Sequence, residues 1–230
     1  MDVTVRPVVA VVVAAGSGSR LGASVPKALV RVAGKSLVQW AVASLAAGGV
    51  TKAVVTAPPG YRDELAEQLA SAEIACEVIV GGSRRQDSVR LGLAQLPERA
   101  GIVLIHDAAR PFVPPQVVRA VSEAVAAGAG AVIPGMPVTD SLRHRHANGS
   151  SAVDRTEYVA VQTPQGFDLA LVRRAHDHVQ AAGIEVSDDA AACEAIGQSV
   201  SVVPGHSDAL KITTGHDLLL AEAIAAERKP

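Results

Sequence analysis

The sequence predicts an α/β protein with a mostly parallel sheet covered by helices on both faces. Two observations predict it. Short β-branched runs such as VVAVVV alternate with alanine-rich stretches of helical periodicity along the 230 residues. The strand-like runs are apolar throughout rather than apolar at every second position, which is typical of strands buried on both faces. A chain of this length with 49% hydrophobic residues can bury such a core.

The elements follow in order along the chain. The runs that predict strands are residues 8–13, 52–56, 76–80, 101–106, 131–134 and 199–203. The stretches that predict helices are residues 37–47, 61–70, 84–96, 115–127, 169–181, 188–196 and 216–227. Because ligands bind at the carboxyl ends of parallel strands, the loops that directly follow a strand are the candidate sites.

Residues 135–163 interrupt this alternation. Strand-like pieces flank the turn-prone ANGSS segment, and this pattern predicts a β-hairpin arm that projects from the sheet. An isolated hairpin is marginal in water, so we expect the arm to pack on a second copy of the chain in a homodimer. The sequence shows no internal repeat or linker, which predicts one domain over residues 1–230 with this arm at about 135–163.

Composition argues against several classes of partner. The formal net charge is -2 and aromatic residues make up 2%, which disfavours nucleic-acid binding. No apolar stretch approaches the roughly 18 residues that a membrane span needs. The first residues fit a buried strand better than a signal peptide, because the valine run that follows Arg6 is short and lacks leucine. Cys76 and Cys193 lie far apart and predict reduced thiols in a cytoplasmic protein.

The loop after the first strand, VAAGSGSRLGASVPKAL at residues 13–29, is rich in glycine. Gly16, Gly18 and Gly22 give the spacing G-x-G-x-x-x-G, which differs from the dinucleotide fingerprint. No acid for a ribose follows the second strand, which reads AVVTAPPG. The lysine follows Pro26 rather than a glycine, so the loop is not a Walker loop either.

The same loop fits a nucleoside triphosphate. Glycines allow backbone N–H groups to approach phosphate oxygens, while Arg20 offers a planar fork and Lys27 a point charge. Pro26 restricts the backbone just before Lys27 and therefore the direction of its ammonium group. A glycine-rich turn with two solvated cations is the alternative.

Two later loops repeat this arrangement. In VGGSRRQDSVRLGL, Gly82 permits close approach of a ligand, and Arg85 and Ser88 are polar residues at the start of a helix. In LIHDAARPFV, an apolar strand delivers Asp107 at its tip, where a carboxylate could hold Mg²⁺ against phosphate oxygens. Taken alone, the first loop also fits a solvated helix N-terminus and Asp107 a turn aspartate.

Taken together, these stretches resemble the 2-C-methyl-D-erythritol 4-phosphate cytidylyltransferase family of the non-mevalonate isoprenoid pathway. The resemblance covers residues 9 to about 216 and rests on the glycine loop, GGSRRQDSV, HDAARPF, VDR at 153–155, QTPQGF at 162–167 and DALKIT at 208–213. It implies a Rossmann-like fold of the nucleotide-diphospho-sugar transferase type, with CTP and a polyol phosphate as substrates and Mg²⁺ as cofactor. The similar ribitol-5-phosphate cytidylyltransferases remain an alternative.

The resemblance also implies a role for individual residues. At the cytosine and ribose end of CTP it places Ala14, Ala15, Gly16, Gly82 and Ser88. Further substrate-binding candidates are Gly18, Arg85, Ala108 and Arg110. Around the triphosphate, as catalytic residues, it places Arg20, Lys27 and Lys211. Near the magnesium it places Asp107 and Asp208, and near the polyol phosphate Ser141, Arg155, Thr163 and again Lys211.

Two positions depart from the family pattern. Ser83 stands where family members often carry an acid, and Ser141 where threonine is common. Both keep a polar side chain, so the implied activity does not change. Two rivals from other classes are a catalytically inactive nucleotide-binding regulator and an NAD-dependent oxidoreductase, the latter disfavoured by the glycine spacing and the missing ribose acid.

Other polar and aromatic residues receive structural interpretations. His176 and His178 point in different directions on a helix, so we expect solvated side chains rather than a metal site. In SDDAAACEAI, Ser187 is the expected helix cap, with two acids near the positive end of the dipole. Trp40 and Phe112 are expected in the core.

Overall fold

The computed structural model describes residues 7–16, 25–98 and 101–228. In chain order the strands are β1 Val8–Val13, β2 Arg31–Val32, β3 Lys35–Ser36, β4 Lys52–Ala57, β5 Ala75–Val80, β6 Ile102–Asp107, β7 Ala131–Pro137, β8 Arg143–His146, β9 Gly149–Ala152, β10 Val159–Val161, β11 Gln165–Asp168 and β12 Ser201–Pro204. The helices are α1 Leu37–Ala47, α2 Arg62–Leu69, α3 Arg85–Ala94, α4 Pro115–Ala126, α5 Leu169–Ala181, α6 Asp189–Glu194 and α7 Gly215–Glu227. None of the helices in this described part has the length and apolar character needed to cross a membrane.

The main sheet has the strand order β10-β7-β11-β6-β1-β4-β5, and β12 pairs with β7. Strands β6, β1, β4 and β5 run parallel to one another, as does β12 to β7. Strands β10 and β11 run antiparallel to their neighbours. The predicted mostly parallel sheet is therefore confirmed, with an antiparallel insertion that the sequence did not predict.

The central strand β1 shows why its sequence is apolar throughout. Successive side chains of a strand point to opposite faces of the sheet. Ala10 and Val12 pack into one hydrophobic cluster with Val118 of α4, whereas Val11 packs into the other with Val172 of α5. Helices therefore cover both faces of the sheet, and no position along β1 is left to polar residues.

The predicted arm contains a β-hairpin. Strands β8 and β9 pair antiparallel, with Arg143 opposite Ala152, and form a sheet of their own. Every residue of both strands is exposed in this single chain. The hairpin thus projects from the sheet as expected, and no contact among the described residues buries either of its strands.

Parallel pairing brings the carboxyl ends of β1, β5 and β6 to one edge. Val13 of β1 lies opposite Asp107 of β6, and the N–H of Ala108 donates to the Val13 carbonyl at 3.1 Å. The N–H of Gly81, just after β5, donates to the Ala57 carbonyl at 2.8 Å. The three loops selected from the sequence therefore begin side by side.

Close packing between α3 and β1 gives a test of this arrangement. A Cβ atom on Gly92 of α3 would lie 2.6 Å from Cγ1 of the fully buried Val11. We expect Gly92→Ala to lower the free energy of unfolding by about 1–3 kcal/mol, because the overpacked core has no room to adjust. Urea denaturation measures the change.

The matched control is Gly215→Ala in α7, where an added Cβ would meet no atom within 4 Å. This substitution should leave the stability unchanged or raise it by at most about 1 kcal/mol, since alanine has the higher helix propensity. Equal effects at the two positions would contradict the packing of α3 against β1.

Candidate active site

A cavity of about 470 Å³ opens at the carboxyl ends of β1, β5 and β6. Most of the residues selected from the sequence line it. These are Ala14, Ala15, Gly16, Lys27, Gly82, Arg85, Ser88, Asp107, Ala108 and Lys211. Its described lining also includes residues to which the sequence analysis gave no role, among them Val13, Ala28, Arg84, Ala109 and Thr213. For Thr213 a signal existed, because it closes the DALKIT motif.

The phosphate-binding candidates on the first loop are only partly described. Gly18 and Arg20 lie outside the described residues, between Gly16 and Val25. Lys27 starts a short 3₁₀ turn, Lys27–Leu29, directly after Pro26. Ala28 and Leu29 of this turn are buried, so hydrophobic packing holds the backbone that carries Lys27 at the cavity wall.

Glycines allow close packing at the cavity wall where the loops after β1 and β5 meet. A Cβ on Gly81 would lie 2.6 Å from the Ala15 Cβ, and one on Gly82 would lie 2.4 Å from the Asp87 Cβ. The N–H of Gly82 donates to the Ser88 hydroxyl at 3.0 Å. At Gly81 the two loops therefore approach each other more closely than a side chain allows, and at Gly82 the backbone lies too close to the first turn of α3 for one.

Asp107 carries the acidic charge of the described lining. Its Oδ1 lies 3.1 Å from Nε of Arg85 and its Oδ2 lies 2.7 Å from Nζ of Lys211. Burial alone would raise the pKa of this carboxyl group, but the charges of Arg85 and Lys211 outweigh burial and hold the pKa well below its usual range. Asp107 therefore stays ionised in neutral and mildly acidic solution.

Arg85 joins the cavity to a second, fully buried carboxylate. Its Nη2 lies 2.8 Å from Oδ2 of Asp189, whose Oδ1 lies 3.1 Å from Nε2 of His176. Burial would lower the pKa of Arg85, yet the charges of Asp189 and Asp107 raise it above its ordinary value. The guanidinium group is therefore permanently charged and shared between two acids.

The structure corrects two expectations at this point. His176 is 2% exposed, so the expectation that it is solvated is wrong. Its position was readable, because it lies four residues after Val172 and three before Val179, on the apolar stripe of α5. Ser187 is not the cap of α6; the side chain of Asp188 accepts the N–H of Ala191 at 2.9 Å instead.

A neutral histidine is linked to Asp107 through the hydroxyl group of Thr163. His106 is fully buried, and burial lowers its pKa to about 4. Its Nε2 lies 3.0 Å from the Arg110 carbonyl, which can only accept, so the hydrogen is assigned to Nε2. Its Nδ1 then accepts from the Thr163 hydroxyl at 2.9 Å, and that oxygen accepts the Asp107 N–H at 3.1 Å. Thr163 thus lies beneath Asp107 rather than in the described lining.

Arg110 also lies outside the described cavity lining. Its Nη1 donates to the carbonyl of Ala209 at 2.8 Å. Nearby, the N–H of Ile212 donates to the carbonyl of Ala109 at 2.8 Å. These bonds tie the segment that carries Lys211 to the loop after β6, and so bring its ammonium group to Asp107.

The remaining predicted residues also lie outside the described lining of the cavity. Asp208 is paired at 3.2 Å with Arg228, the residue that follows α7, and is not in the described lining. Ser141 and Arg155 are exposed on the arm segment, where the Arg155 guanidinium donates to the Thr139 carbonyl. Within this single chain, the structure does not bring these residues together with Lys27.

Comparison with known proteins agrees with this geometry. The family model described as 2-C-methyl-D-erythritol 4-phosphate cytidylyltransferase matches residues 8–227. An enzyme of that name from Saccharopolyspora erythraea is 50% identical over 95% of this chain and 99% of its own length. Another from Streptomyces coelicolor is 44% identical over 96% of this chain and 85% of its own length.

Solved structures give the same result. The crystal structure of a 2-C-methyl-D-erythritol 4-phosphate cytidylyltransferase from Thermus thermophilus superposes with a TM-score of 0.78 at 37% sequence identity. The alignment covers 95% of this chain and 98% of that chain. The similarity therefore extends over nearly the whole fold.

The lowered pKa of Asp107 predicts how stability depends on pH. Below about pH 4 the unfolded chain binds a proton at this carboxyl that the folded chain does not bind. The stability that Asp107 contributes is therefore complete above that pH and is lost as the pH falls towards the lower, folded-state pKa. We expect Asp107→Asn to be less stable at neutral pH and to show a flatter loss of stability below about pH 4.

Melting temperatures between neutral pH and about pH 2.5 measure this difference. The control is Asp177→Asn, which replaces an exposed acid of α5 and should keep the pH dependence of the unmodified protein. If the melting temperature of Asp107→Asn falls with pH as steeply as that of the unmodified protein, the folded structure does not lower the pKa of Asp107.

Proposed function

Because this chain belongs to the 2-C-methyl-D-erythritol 4-phosphate cytidylyltransferase family, we propose that its cavity joins CTP to 2-C-methyl-D-erythritol 4-phosphate. The products are 4-diphosphocytidyl-2-C-methyl-D-erythritol and pyrophosphate. The observation that carries the proposal is the meeting of Lys27, Arg85, Asp107 and Lys211 in one cavity. Each comes from a different segment of the chain, and the segments meet at the same edge of the sheet.

The charge of the cavity suits two anionic substrates. Its described lining contains the basic side chains of Lys27, Arg84, Arg85 and Lys211 but only one acid, Asp107. We assign Lys27 and Lys211, together with the predicted Arg20, to the triphosphate, as the family resemblance implies. Their positive charges lower the repulsion between the acceptor phosphate and the triphosphate.

The reaction needs no general base. The nucleophile is a phosphate monoester, which is mostly dianionic at neutral pH because its second pKa is about 6. An oxygen of that phosphate attacks the α-phosphorus of CTP, an O–P bond forms, and the bond to the β-phosphate breaks as pyrophosphate leaves. Asp107 is a weak base because of its lowered pKa, and both ring nitrogens of the buried His106 are engaged. Catalysis therefore rests on positioning and charge.

The nucleoside end of CTP fits the glycine side of the cavity. We assign the cytosine and ribose to the wall formed by Ala14, Ala15, Gly16, Gly82 and Ser88. Backbone carbonyl groups near Ala14 and Gly82 would accept hydrogen bonds from the cytosine amino group. Uracil carries a carbonyl oxygen in that place, so two acceptors would face each other when UTP binds.

Mg²⁺ is the proposed cofactor, and Asp107 fits it best. Magnesium takes one or two carboxylates together with phosphate oxygens and water. The Asp107 carboxylate faces the cavity, and its Lys211 partner is 42% exposed and can move away from Oδ2. Asp208 would have to leave Arg228 first. When bound, the ion supplies positive charge that neutralises phosphate oxygens.

The arm is proposed to complete the site of a partner chain in a homodimer. Strands β8 and β9 are exposed, and the neighbouring β10 leaves Val159 43% and Val161 37% exposed. Ser141 and Arg155, which the family resemblance assigns to the polyol phosphate, lie on this arm and outside the described cavity lining. A two-fold partner would accept both the apolar edge and these polar groups.

We propose the cytoplasm as the place of this reaction. Cys76 and Cys193 are both unpaired, as expected in a reducing compartment. Burial raises the pKa of Cys193 to about 12, so this thiol is unreactive at neutral pH.

Release of pyrophosphate from purified protein tests the activity. With CTP, 2-C-methyl-D-erythritol 4-phosphate and Mg²⁺ we expect rapid release, and with UTP a kcat/KM lower by about 10² or more, since mispaired buried acceptors cost several kcal/mol. Ribitol 5-phosphate in place of the acceptor tests the alternative substrate. Faster turnover of ribitol 5-phosphate, or no turnover of either acceptor, would contradict the proposal.

Mixing two inactive variants tests the exchange of arms. Lys27→Ala and Arg155→Ala should each lose about 10² to 10³ in kcat, because each removes one charged group that contacts a substrate. After subunit exchange, random pairing puts about half of the chains in mixed dimers, where one site regains both groups. Roughly a quarter of the unmodified activity should therefore return.

Exchange itself is checked with two affinity tags, and each variant mixed with itself is the control. If Arg155 served its own chain, every site in the mixture would still lack one group. No recovery in a mixture whose exchange has been demonstrated would overturn the crossed arrangement.

A further inference from the structure

Asp189 is a buried acid for which the proposed reaction has no use. It is 0% exposed at the start of α6, and the family resemblance gives it no role. Its backbone N–H donates to the side-chain carbonyl of Gln165 at 3.2 Å, as does the N–H of Ala190. The backbone position of Asp189 is therefore held independently of its carboxylate, whose burial needs another reason.

The carboxylate of Asp189 is directed at two partners. Oδ1 accepts from Nε2 of His176 at 3.1 Å, and Oδ2 lies 2.8 Å from Nη2 of Arg85. Burial would raise the pKa of Asp189, but the Arg85 charge and the His176 hydrogen bond lower it. A charge buried to this extent is costly unless it is paired, so the pair is a specific feature of the fold.

Two nitrogens of the Arg85 guanidinium group already contact carboxylates. Nε contacts Asp107 at 3.1 Å and Nη2 contacts Asp189 at 2.8 Å, while the side chain keeps 28% exposure towards the cavity. An arginine fork that faces a triphosphate would ordinarily bind phosphate oxygens in a bidentate manner. Here the two carboxylates contact Nε and Nη2, the two nitrogens that would form such a bidentate pair on this edge of the fork.

We propose that Asp189 is a positioning residue that holds Arg85 against Asp107 and prevents this arginine from binding the triphosphate. The proposal rests on the nucleotidyl transfer proposed above. With Arg85 held on Oδ1, Asp107 presents Oδ2 to the cavity in a constant orientation, and the α-phosphorus remains accessible to the acceptor. Without Asp189, Nη2 of Arg85 binds CTP in its ground state. Such binding lowers the KM for CTP but does not raise kcat.

Asp189→Asn tests this role with little change in shape. The amide oxygen can still accept from His176, but its NH₂ group faces the Arg85 guanidinium, donor against donor. We expect kcat to fall about 10- to 100-fold, as is typical when a partner behind a catalytic group is lost. The KM for CTP should fall or stay within about threefold. Active-site titration corrects kcat for misfolded protein, and KM does not depend on the fraction that is folded.

Asp188→Asn is the matched control. It makes the same change one residue earlier, on an acid whose carboxylate accepts from Ala191 and Gln165 rather than from Arg85. Its kcat and KM should stay within about twofold of the unmodified protein. If Asp189 were only structural, Asp189→Asn would lower the melting temperature and leave the corrected kcat and the KM unchanged, which would overturn the proposal.

A double substitution separates action through Arg85 from any other action. If Asp189 works through Arg85, then Arg85→Gln and the double variant Arg85→Gln/Asp189→Asn should share the same kcat within about threefold. The double variant also removes the buried pair as a unit, so no unpaired charge from that pair remains inside the fold. A further large loss in the double variant would contradict the proposal.

A structure of the unmodified protein with CTP gives a result even if the variants do not fold. We expect Nη2 of Arg85 to remain within hydrogen-bond distance of Asp189 and to contact no phosphate oxygen. A guanidinium–phosphate contact in that complex would overturn the role of Asp189. Absence of pyrophosphate release by the unmodified protein would instead refute the proposed function, so the two failures are distinguishable.

Discussion

A buried carboxylate at the end of β6 sets the arrangement of the whole site. Asp107 is 7% exposed, and an ionised group so far from water is tolerated only with partners of opposite charge. Arg85 from the start of α3 and Lys211 from the segment before α7 meet this requirement on its two oxygens. Arg85 in turn contacts the buried Asp189 at 2.8 Å. One strand end thus determines where three distant segments lie.

Buried polar side chains connect the loops around this centre. Gln162 exchanges two hydrogen bonds with the backbone of His206, at 2.9 and 3.0 Å, and Gln165 holds the first turn of α6. His106 and Thr163 link the strand tip to the loop that precedes β11. Directional bonds of this kind are costly to leave unmade, so they specify one geometry more sharply than apolar contacts would. These side-chain hydrogen bonds consequently fix the loops relative to one another, although no helix or strand joins the loops in the described part of the chain.

The sheet could be predicted from the sequence where burial alone decides it. Runs such as VVAVVV in β1 are apolar at every position because helices cover both faces, and this pattern was sufficient to place β1, β4, β6 and β7. Strands β5 and β12 were also predicted, from their β-branched residues, although both are more exposed. Neither pattern revealed β10 or β11. The four residues QGFD carry a glycine and no β-branched side chain, so only pairing with β6 and β7 makes them a strand.

Some residues of the site could likewise be predicted from the sequence, and others only the structure shows. The sequence by itself determined the loops that line the cavity, with Lys27 and Asp107 as candidates, because glycines and charges placed directly after strands carry that information locally. It also indicated the family, and the resemblance to that family added Lys211 through the DALKIT motif. Only the tertiary structure decided that the Thr163 hydroxyl binds the backbone N–H of Asp107, and that Asp189 contacts both Arg85 and His176. Asp189 is more than a hundred residues from Arg85 in the chain, and its partner is chosen by the need to neutralise a buried charge. That need arises only after the chain has folded and excluded water, which no local pattern of residues records.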